Sequence, residues 1–162
     1  MTLKLDHERH MQRAITLTTN TPKLPFGAVI VHRESGDTVA EGWNRSKTNP
    51  IWHGEIDALN ALFRSGHQIA GNEFVLYTTA EPCPMCMSAI LWSGIQMVVY
   101  GTSIRFLQKQ GWRQIDLLAE EIVRRGSAWK CTIIGGVLED ECNALFAAGP
   151  PQSLPRRANG SE

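Results

Sequence analysis

Four residues in two short stretches of the chain have side chains that could do chemistry together: His53, Glu55, Cys83 and Cys86. A histidine nitrogen and two cysteine thiolates are ligands that Zn²⁺ accepts, and a tetrahedral ion held by three protein groups keeps its fourth position for water. Glu55 follows His53 by two residues, so its carboxylate can contact that water without binding the metal, as a general acid or base must. The residue types and their spacing therefore predict an open zinc site with Glu55 as the proton carrier.

Each half of this pattern has a simpler interpretation when it is taken alone. A C-x-x-C pair is common in structural zinc sites and in redox sites, and a single histidine at the start of a helix is often a surface residue. A structural zinc site needs a fourth ligand, but Cys131 and Cys142 lack the chelating spacing, and a redox site leaves the upstream H-x-E unexplained. The combination favours a catalytic site. The alternative is a zinc-binding interaction module without catalysis, which would not need Glu55.

The composition favours one domain that acts on a small substrate. The 162 residues are 43% hydrophobic, enough for one core, and we expect a single domain over residues 1–148 with a loose proline-containing tail over 149–162. The 16 Lys and Arg residues balance 16 Asp and Glu residues, so the chain offers no strong attraction to nucleic acid or anionic lipid. Cysteines available as thiolates suggest a reducing compartment, and no segment is apolar enough to span a membrane, so we expect a cytoplasmic protein.

Hydrophobic periodicity predicts helices and strands that alternate along the chain. An amphipathic helix over residues 6–19 is followed by a β-hairpin, after which helices alternate with three further strands. The predicted strands are 26–31, 38–43, 74–79, 97–100 and 131–137; the later helices begin at His53 and Met87, contain Ile115, Leu118 and Ile122, and contain Cys142, Leu145 and Phe146. The helix from Met87 to Trp92 is apolar nearly all round, which predicts that it is sandwiched in the core.

These elements predict an α/β fold, a three-layer α/β/α sandwich with a five-stranded mixed sheet. Strands that alternate with helices form right-handed crossovers, so the sheet should be mostly parallel after the opening hairpin. His53 and Glu55 then open one helix, and Cys83 and Cys86 lie in the first turn of another. Because unpaired N–H groups and the helix dipole favour thiolates at a helix N-terminus, we expect both cysteines to meet the metal deprotonated.

Further motifs resemble those of a known family. The H-x-E…P-C-x-x-C pattern is a signature of zinc-dependent deaminases. Three other motifs accompany it: Pro25-Phe26-Gly27-Ala28-Val29, Gly42-Trp43-Asn44-Arg45 and Ala89-Ile90-Leu91-Trp92. Over residues 6–148 the chain resembles the cytidine deaminase superfamily, on the branch that holds bacterial guanine deaminases and tRNA adenosine deaminases. The resemblance implies the cytidine deaminase-like fold and a hydrolytic deaminase.

The resemblance also implies roles for four residues outside the ligand set. Phe26 would pack against the substrate ring, Asn44 would form a hydrogen bond with it, and Gly54 would offer a backbone N–H group. Trp92 would line the pocket or form a dimer contact, and a homodimer is expected because the superfamily pairs chains beside the active site. From residue type alone, Phe26 and Trp92 are equally well explained as core residues, and Asn44 as the end of a strand.

The segment 101–114 bears on the choice of substrate. It lacks the small-residue loop associated with tRNA adenosine deaminases and the acidic pair usual near this point in guanine deaminases. With the neutral charge, the resemblance implies a free amino-purine or related amino-heterocycle, guanine first, as a small-molecule substrate. The alternatives are a tRNA adenosine deaminase and a purine nucleoside or cytosine deaminase. Phe106 and Trp112 in this segment either cap the pocket, in their own chain or a partner, or only cover the sheet.

Overall fold

A computed structural model describes residues 5–152, which fold around one five-stranded sheet. The part of the predicted loose tail beyond residue 152 lies outside the described residues. The strands are β1 (Gly27–His32), β2 (Thr38–Trp43), β3 (Phe74–Ala80), β4 (Met97–Thr102) and β5 (Thr132–Ile134). The helices are α1 (His7–Leu17), which continues into a 3-10 turn (Thr18–Asn20), α2 (Gly54–Arg64), α3 (Pro84–Ser93), α4 (Ile104–Lys109), α5 (Ala119–Arg125) and α6 (Glu139–Phe146).

The strand order β2-β1-β3-β4-β5 confirms the predicted mixed sheet. β1 pairs antiparallel with β2 and with β3, whereas β3, β4 and β5 are parallel to one another. Because β1 runs opposite to the other four strands, its amino end lies at the same edge as their carboxyl ends. The chain segments before β1 and after β2, β3 and β4 therefore meet at one edge of the sheet, where open α/β sheets bind their ligands.

Helices cover both faces of the sheet, which confirms the three-layer architecture. α2, α3 and α5 pack on one face, over a core that includes Ile30, Leu76 and Val98. α1 and α6 pack on the other face, over a core that includes Val29, Tyr77 and Val99. Each of these residues is next in sequence to one of the three residues on the first face. The alternation follows from the strand period of two, since successive side chains point to opposite faces.

The contact between α2 and β2 depends on Gly42. A Cβ atom at this position would overlap the backbone of Ala58 and Gly54, so a larger residue would push the helix away from the strand. The close approach holds the amino end of α2 beside the end of β2. It therefore fixes the place of His53, which directly precedes α2.

The region after β4 corrects the sequence-based prediction. α4 was not predicted; it begins after Ser103, whose hydroxyl accepts a hydrogen bond from the backbone N–H of Phe106 at 3.1 Å. The helix predicted to contain Ile115 begins only at Ala119, and Ile115 is 66% exposed, so its place in the apolar pattern was coincidental. β5 ends earlier than predicted, because Gly135 and Gly136 follow Ile134 and neither has a side chain to pack.

The prediction that the Met87 to Trp92 helix is sandwiched in the core was wrong for its outer side. Met87, Ile90 and Leu91 are buried, but Trp92 is 76% exposed, because α3 lies in an outer layer and only one side of it faces the sheet. The helix has 10 residues. No helix within residues 5–152 is both long and apolar enough to cross a membrane.

Candidate active site

The structure brings His53, Cys83 and Cys86 together at the amino ends of two helices. His53 directly precedes α2, Cys83 directly precedes α3, and Cys86 lies in the first turn of α3. His53 Nδ1 lies 3.6 Å from the Sγ atom of each cysteine. The three potential ligand atoms all lie within 4.8 Å of one another.

This geometry fits a tetrahedral zinc ion. With usual Zn–N and Zn–S bond lengths, tetrahedral coordination places a nitrogen and a sulfur ligand about 3.6 Å apart. One imidazole and two thiolates are also a donor set that Zn²⁺ prefers to Mg²⁺ or Ca²⁺. Within residues 5–152, no other group of three His, Cys, Asp or Glu side chains has this arrangement.

The two thiols shift each other's pKa in opposite directions. A hydrogen bond from the Cys86 thiol, with a smaller contribution from His53, lowers the pKa of Cys83 to about 4 in spite of burial. The same hydrogen bond, together with burial, raises the pKa of Cys86 well above its usual value. These shifts favour the thiolate form of Cys83 and the thiol form of Cys86. A cation that binds both sulfurs must therefore displace the Cys86 proton, in contrast to the expectation that both cysteines meet the metal deprotonated.

Glu55 lies in the first turn of α2, beside this cluster, and is only 4% exposed. Burial raises the pKa of its carboxyl group, and the charge of Cys83 raises it further. The hydroxyl of Thr78 on β3 donates a hydrogen bond to Glu55 Oε1 at 3.3 Å. Sequence reasoning missed Thr78, because a threonine inside a fully buried strand forms no recognisable pattern.

Phe26, Asn44 and Gly54 meet at the same edge of the sheet. The backbone N–H of Asn44 donates to the carbonyl oxygen of Phe26 at 2.9 Å. A Cβ atom at position 54 would lie 2.8 Å from that same oxygen, so only glycine fits there without a shift. These three residues, which were singled out by resemblance, therefore form one assembly next to His53.

The Asn44 amide has a defined orientation. Its Oδ1 accepts hydrogen bonds from the backbone N–H of Ser46 at 3.0 Å and from the Ser46 hydroxyl at 2.7 Å. A backbone N–H can only donate, so the amide oxygen must face Ser46. The amide nitrogen consequently points the other way with its two N–H groups.

An aromatic cluster adjoins Phe26. Its ring meets that of Trp112 edge-on, with centroids 5.5 Å apart, and that of Phe146 at 4.9 Å. The indole N–H of Trp112 donates to the carbonyl oxygen of Phe146 at 3.0 Å. Of the two aromatic residues of segment 101–114, Trp112 is 6% exposed and Phe106 packs against the same cluster. Residues far apart in the chain thus build one wall beside Phe26.

Trp92 is not brought to the metal cluster. It lies at the opposite end of α3, nine residues after Cys83, which is about 13 Å along a helix. Its ring stacks edge-on against Trp129 with centroids 4.8 Å apart. This position does not support a role for Trp92 in the pocket. Its role in a dimer contact stays a prediction.

Sequence reasoning also missed Glu81, although it lies two residues before Cys83. It is 5% exposed, and its two carboxylate oxygens accept hydrogen bonds from the backbone N–H groups of Ile104 and Ala119, each at 2.9 Å. The stretch that carries Cys83 is thereby tied to the first residues of α4 and α5. The signal in the sequence was an acidic residue between a buried strand and the C-x-x-C motif, where a charged side chain needs partners.

Comparison with known proteins places this geometry in a family. Residues 4–102, more than half of the chain, match the model of the cytidine and deoxycytidylate deaminase zinc-binding region. The chain belongs to this family. The predicted superfamily, fold and enzyme class are confirmed.

The deaminase relatives include enzymes with different substrates. The chain is 33% identical to a guanine deaminase of Bacillus subtilis over 72% of its own length and 81% of the relative. It is 31% identical to a tRNA-specific adenosine deaminase of the same organism over 78% of its length and 75% of the relative. Among solved structures, a mutant of NE0047 in complex with 8-azaguanine is similar with a TM-score of 0.76 and 26% identity, over 88% of this chain and 82% of that chain.

The role of Glu81 can be tested by unfolding the deaminase in urea. Glu81→Ala should lower the free energy of unfolding by at least about 2 kcal/mol, because each buried N–H group left unpaired costs about 1–3 kcal/mol. Glu81→Gln keeps one acceptor oxygen and should have a smaller effect. Glu120→Ala, at an exposed position of α5, is the control and should change little. Equal stability of the Glu81→Ala and Glu120→Ala variants would contradict the role.

Proposed function

We propose that this chain is a zinc-dependent hydrolytic deaminase that releases ammonia from a free amino-purine or a related amino-heterocycle, with guanine as the first candidate. The observation that carries the proposal is the 3.6 Å approach of His53 Nδ1 to both cysteine sulfurs, with the buried carboxyl of Glu55 beside them. Family membership supports both the metal and the reaction.

In the proposed mechanism Glu55 carries the proton twice. His53, Cys83 and Cys86 would hold a zinc ion, which would supply the positive charge that makes a water molecule acidic. Glu55 takes a proton from the attacking water and passes it to the ring nitrogen beside the amino-bearing carbon, which makes that carbon more electrophilic. Glu55 then takes the second proton from the newly added hydroxyl group and delivers it to the amino group; the C–N bond breaks, ammonia leaves and a carbonyl group remains. Burial helps this step, because a raised pKa lets Glu55 hold the proton between transfers.

Asn44 is proposed to bind the ring as a hydrogen-bond donor. Ser46 occupies the amide oxygen twice, so the amide nitrogen is the atom left to meet a ligand. This nitrogen donates no hydrogen bond to any residue within 5–152. Every fully buried polar side-chain atom in that part of the chain has a hydrogen-bond partner. The Asn44 amide nitrogen is therefore not fully buried and can be reached by a ligand. A substrate with a carbonyl oxygen or an unprotonated ring nitrogen at this point fits, and guanine offers both.

Similarity, charge and the residues of the site all favour a guanine-like base. The guanine deaminase of Bacillus subtilis is 33% identical, and the similar NE0047 structure holds 8-azaguanine. The formal net charge of zero gives no general attraction to a polyanion. Phe26 supplies an aromatic ring against which a purine can pack, and Gly54 a backbone N–H group. The second candidate is adenosine in tRNA, which is favoured by the similarity to tRNA-specific adenosine deaminases.

We further propose that two copies of the chain associate through α2 and α3. Trp92 and Phe63 are 76% and 45% exposed, and both line an open groove of about 590 Å³ between these helices. Exposed apolar surface of this kind is typical of an interface.

We also propose that residues 1–148 form one deaminase domain and that the protein is cytoplasmic. A reducing compartment would keep the cysteines of the metal motif available as thiolates.

Two substitutions separate catalysis from metal binding. Glu55→Gln should retain zinc and lower kcat by about 10²–10⁴-fold, because general acid/base catalysis contributes about that much. Cys83→Ala should instead lower the zinc content and the melting temperature, because it removes one of three protein ligands. Elemental analysis, calorimetry and an ammonia assay measure these effects. Wild-type activity in Glu55→Gln would refute its role, and full zinc occupancy in Cys83→Ala would refute the ligand set.

The substrate class can be tested by initial rates on separate compounds. The wild-type protein should release ammonia fastest from guanine, more slowly from guanosine, and little from cytosine or an anticodon stem-loop. Asn44→Asp should lower kcat/KM for guanine by at least about tenfold, because it keeps the acceptor for Ser46 but removes the N–H donors. Preferential deamination of the stem-loop would overturn this assignment in favour of the tRNA enzyme.

The proposed association can be tested by light scattering at micromolar concentration. The wild-type chain should have twice the mass of a single chain, and Trp92→Glu should shift it to a monomer, because a charge would be buried in the apolar contact. Ile115→Glu is the control, since Ile115 is similarly exposed but does not line this groove. A wild-type monomer, or equal effects of the two variants, would contradict the proposed interface.

A further inference from the structure

Asp57 is a buried carboxylate that neither the motif nor the mechanism uses. It lies in α2, is 4% exposed, and faces the segment between β2 and α2. That segment begins at Asn44, the proposed substrate-binding residue, and ends at His53, the proposed zinc ligand. Both of the Asp57 carboxylate oxygens accept hydrogen bonds from this part of the chain.

One oxygen of Asp57 holds the residues on either side of Asn44. Oδ2 accepts a hydrogen bond from the backbone N–H of Trp43 at 3.1 Å and one from Arg45 Nε at 3.0 Å. The Arg45 guanidinium also lies over the Trp43 ring, 4.4 Å from its centroid. Asn44 is thus held between two neighbours that share one acceptor.

The other oxygen of Asp57 holds the residue before His53. Oδ1 accepts a hydrogen bond from the indole Nε1 of Trp52 at 2.9 Å. The backbone N–H of Asp57 donates to the carbonyl oxygen of His53 at 2.9 Å, and the backbone N–H of Arg45 donates to that of Trp52 at 2.8 Å. The loop is closed at its base, and the same carboxylate bonds to both of its ends.

We propose that Asp57 is a positioning residue that sets the zinc ligand His53 and the substrate-binding Asn44 in place relative to each other. The proposal rests on the proposed function for the role of Asn44. Charge-assisted hydrogen bonds to a buried carboxylate are short and strong, and they remove the freedom that a loop would otherwise have. A misplacement of about 1 Å at such a site can cost about 100-fold in rate.

The arrangement has two arms that can be cut separately. Trp52→Phe removes the indole N–H but keeps an aromatic ring beside the Arg45 guanidinium, so it acts on the His53 side. Arg45→Met keeps an unbranched stem but removes the guanidinium, which donates from Nε and lies over the Trp43 ring, so it acts on the Asn44 side. Asp57→Asn keeps one acceptor oxygen and should weaken both arms.

The test measures zinc affinity by competition with a chelator, and KM and kcat with guanine. Trp52→Phe should lower zinc affinity about tenfold and leave KM within about twofold. Loss of a residue that orients a metal ligand typically lowers metal affinity about 10- to 100-fold. Arg45→Met should raise KM about tenfold and leave zinc affinity unchanged. Asp57→Asn should do both. Glu41→Gln is the matched control: it breaks the bidentate Arg13–Glu41 ion pair on β2 and should do neither.

Each outcome decides the proposal. If Asp57→Asn lowers only the melting temperature, or if Trp52→Phe leaves zinc affinity unchanged, Asp57 is a structural residue and the proposal fails. If Asp57→Asn does not fold, the two single-arm variants decide. If the wild-type protein does not turn over guanine, the proposed function fails, and the zinc affinities of Trp52→Phe and Asp57→Asn still test the positioning role.

Discussion

The convergence of two helix N-termini is the constraint on which the rest of the structure depends. His53 Nδ1 can lie 3.6 Å from both cysteine sulfurs only if α2 and α3 begin at the same edge of the sheet. The sheet provides this, because β2 and β3 run in the same direction and the antiparallel β1 separates them. Gly42 brings α2 close enough to β2, and the Phe26 carbonyl oxygen leaves room only for glycine at position 54.

Three buried carboxylates serve this edge in different ways. Glu55 has a raised pKa and accepts a hydrogen bond from the Thr78 hydroxyl at 3.3 Å, so it is suited to gain and lose a proton. Asp57 and Glu81 instead accept hydrogen bonds from N–H groups on both carboxylate oxygens, which ties neighbouring segments of the chain together. Burial alone therefore does not distinguish a catalytic carboxylate from a structural one. The carboxylates differ instead in the groups that donate hydrogen bonds to them.

The proposed substrate side of the site is built differently from the proposed metal side. The metal side uses side chains close together in two short motifs, whereas the aromatic wall combines Phe26, Trp112 and Phe146 from three distant parts of the chain. Asn44 depends on Ser46 for the orientation of its amide. Ligands for a metal are prescribed by chemistry, but the shape that selects one heterocycle over another depends on how the chain packs.

The sequence by itself determined the reaction class and the layered fold. Ligand chemistry is local: an H-x-E and a P-C-x-x-C contain the donor set and the proton carrier, and the periods of two and 3.6 place five strands and the main helices. α4, the exposure of Trp92 and Ile115, and the partners of Asp57 and Glu81 were decided by the tertiary structure. The physical reason is that a carboxylate that bonds to N–H groups 23 and 38 residues away depends on contacts between distant segments, and these leave no periodic signal in the chain. α4 has only 6 residues, too few for its period to stand out.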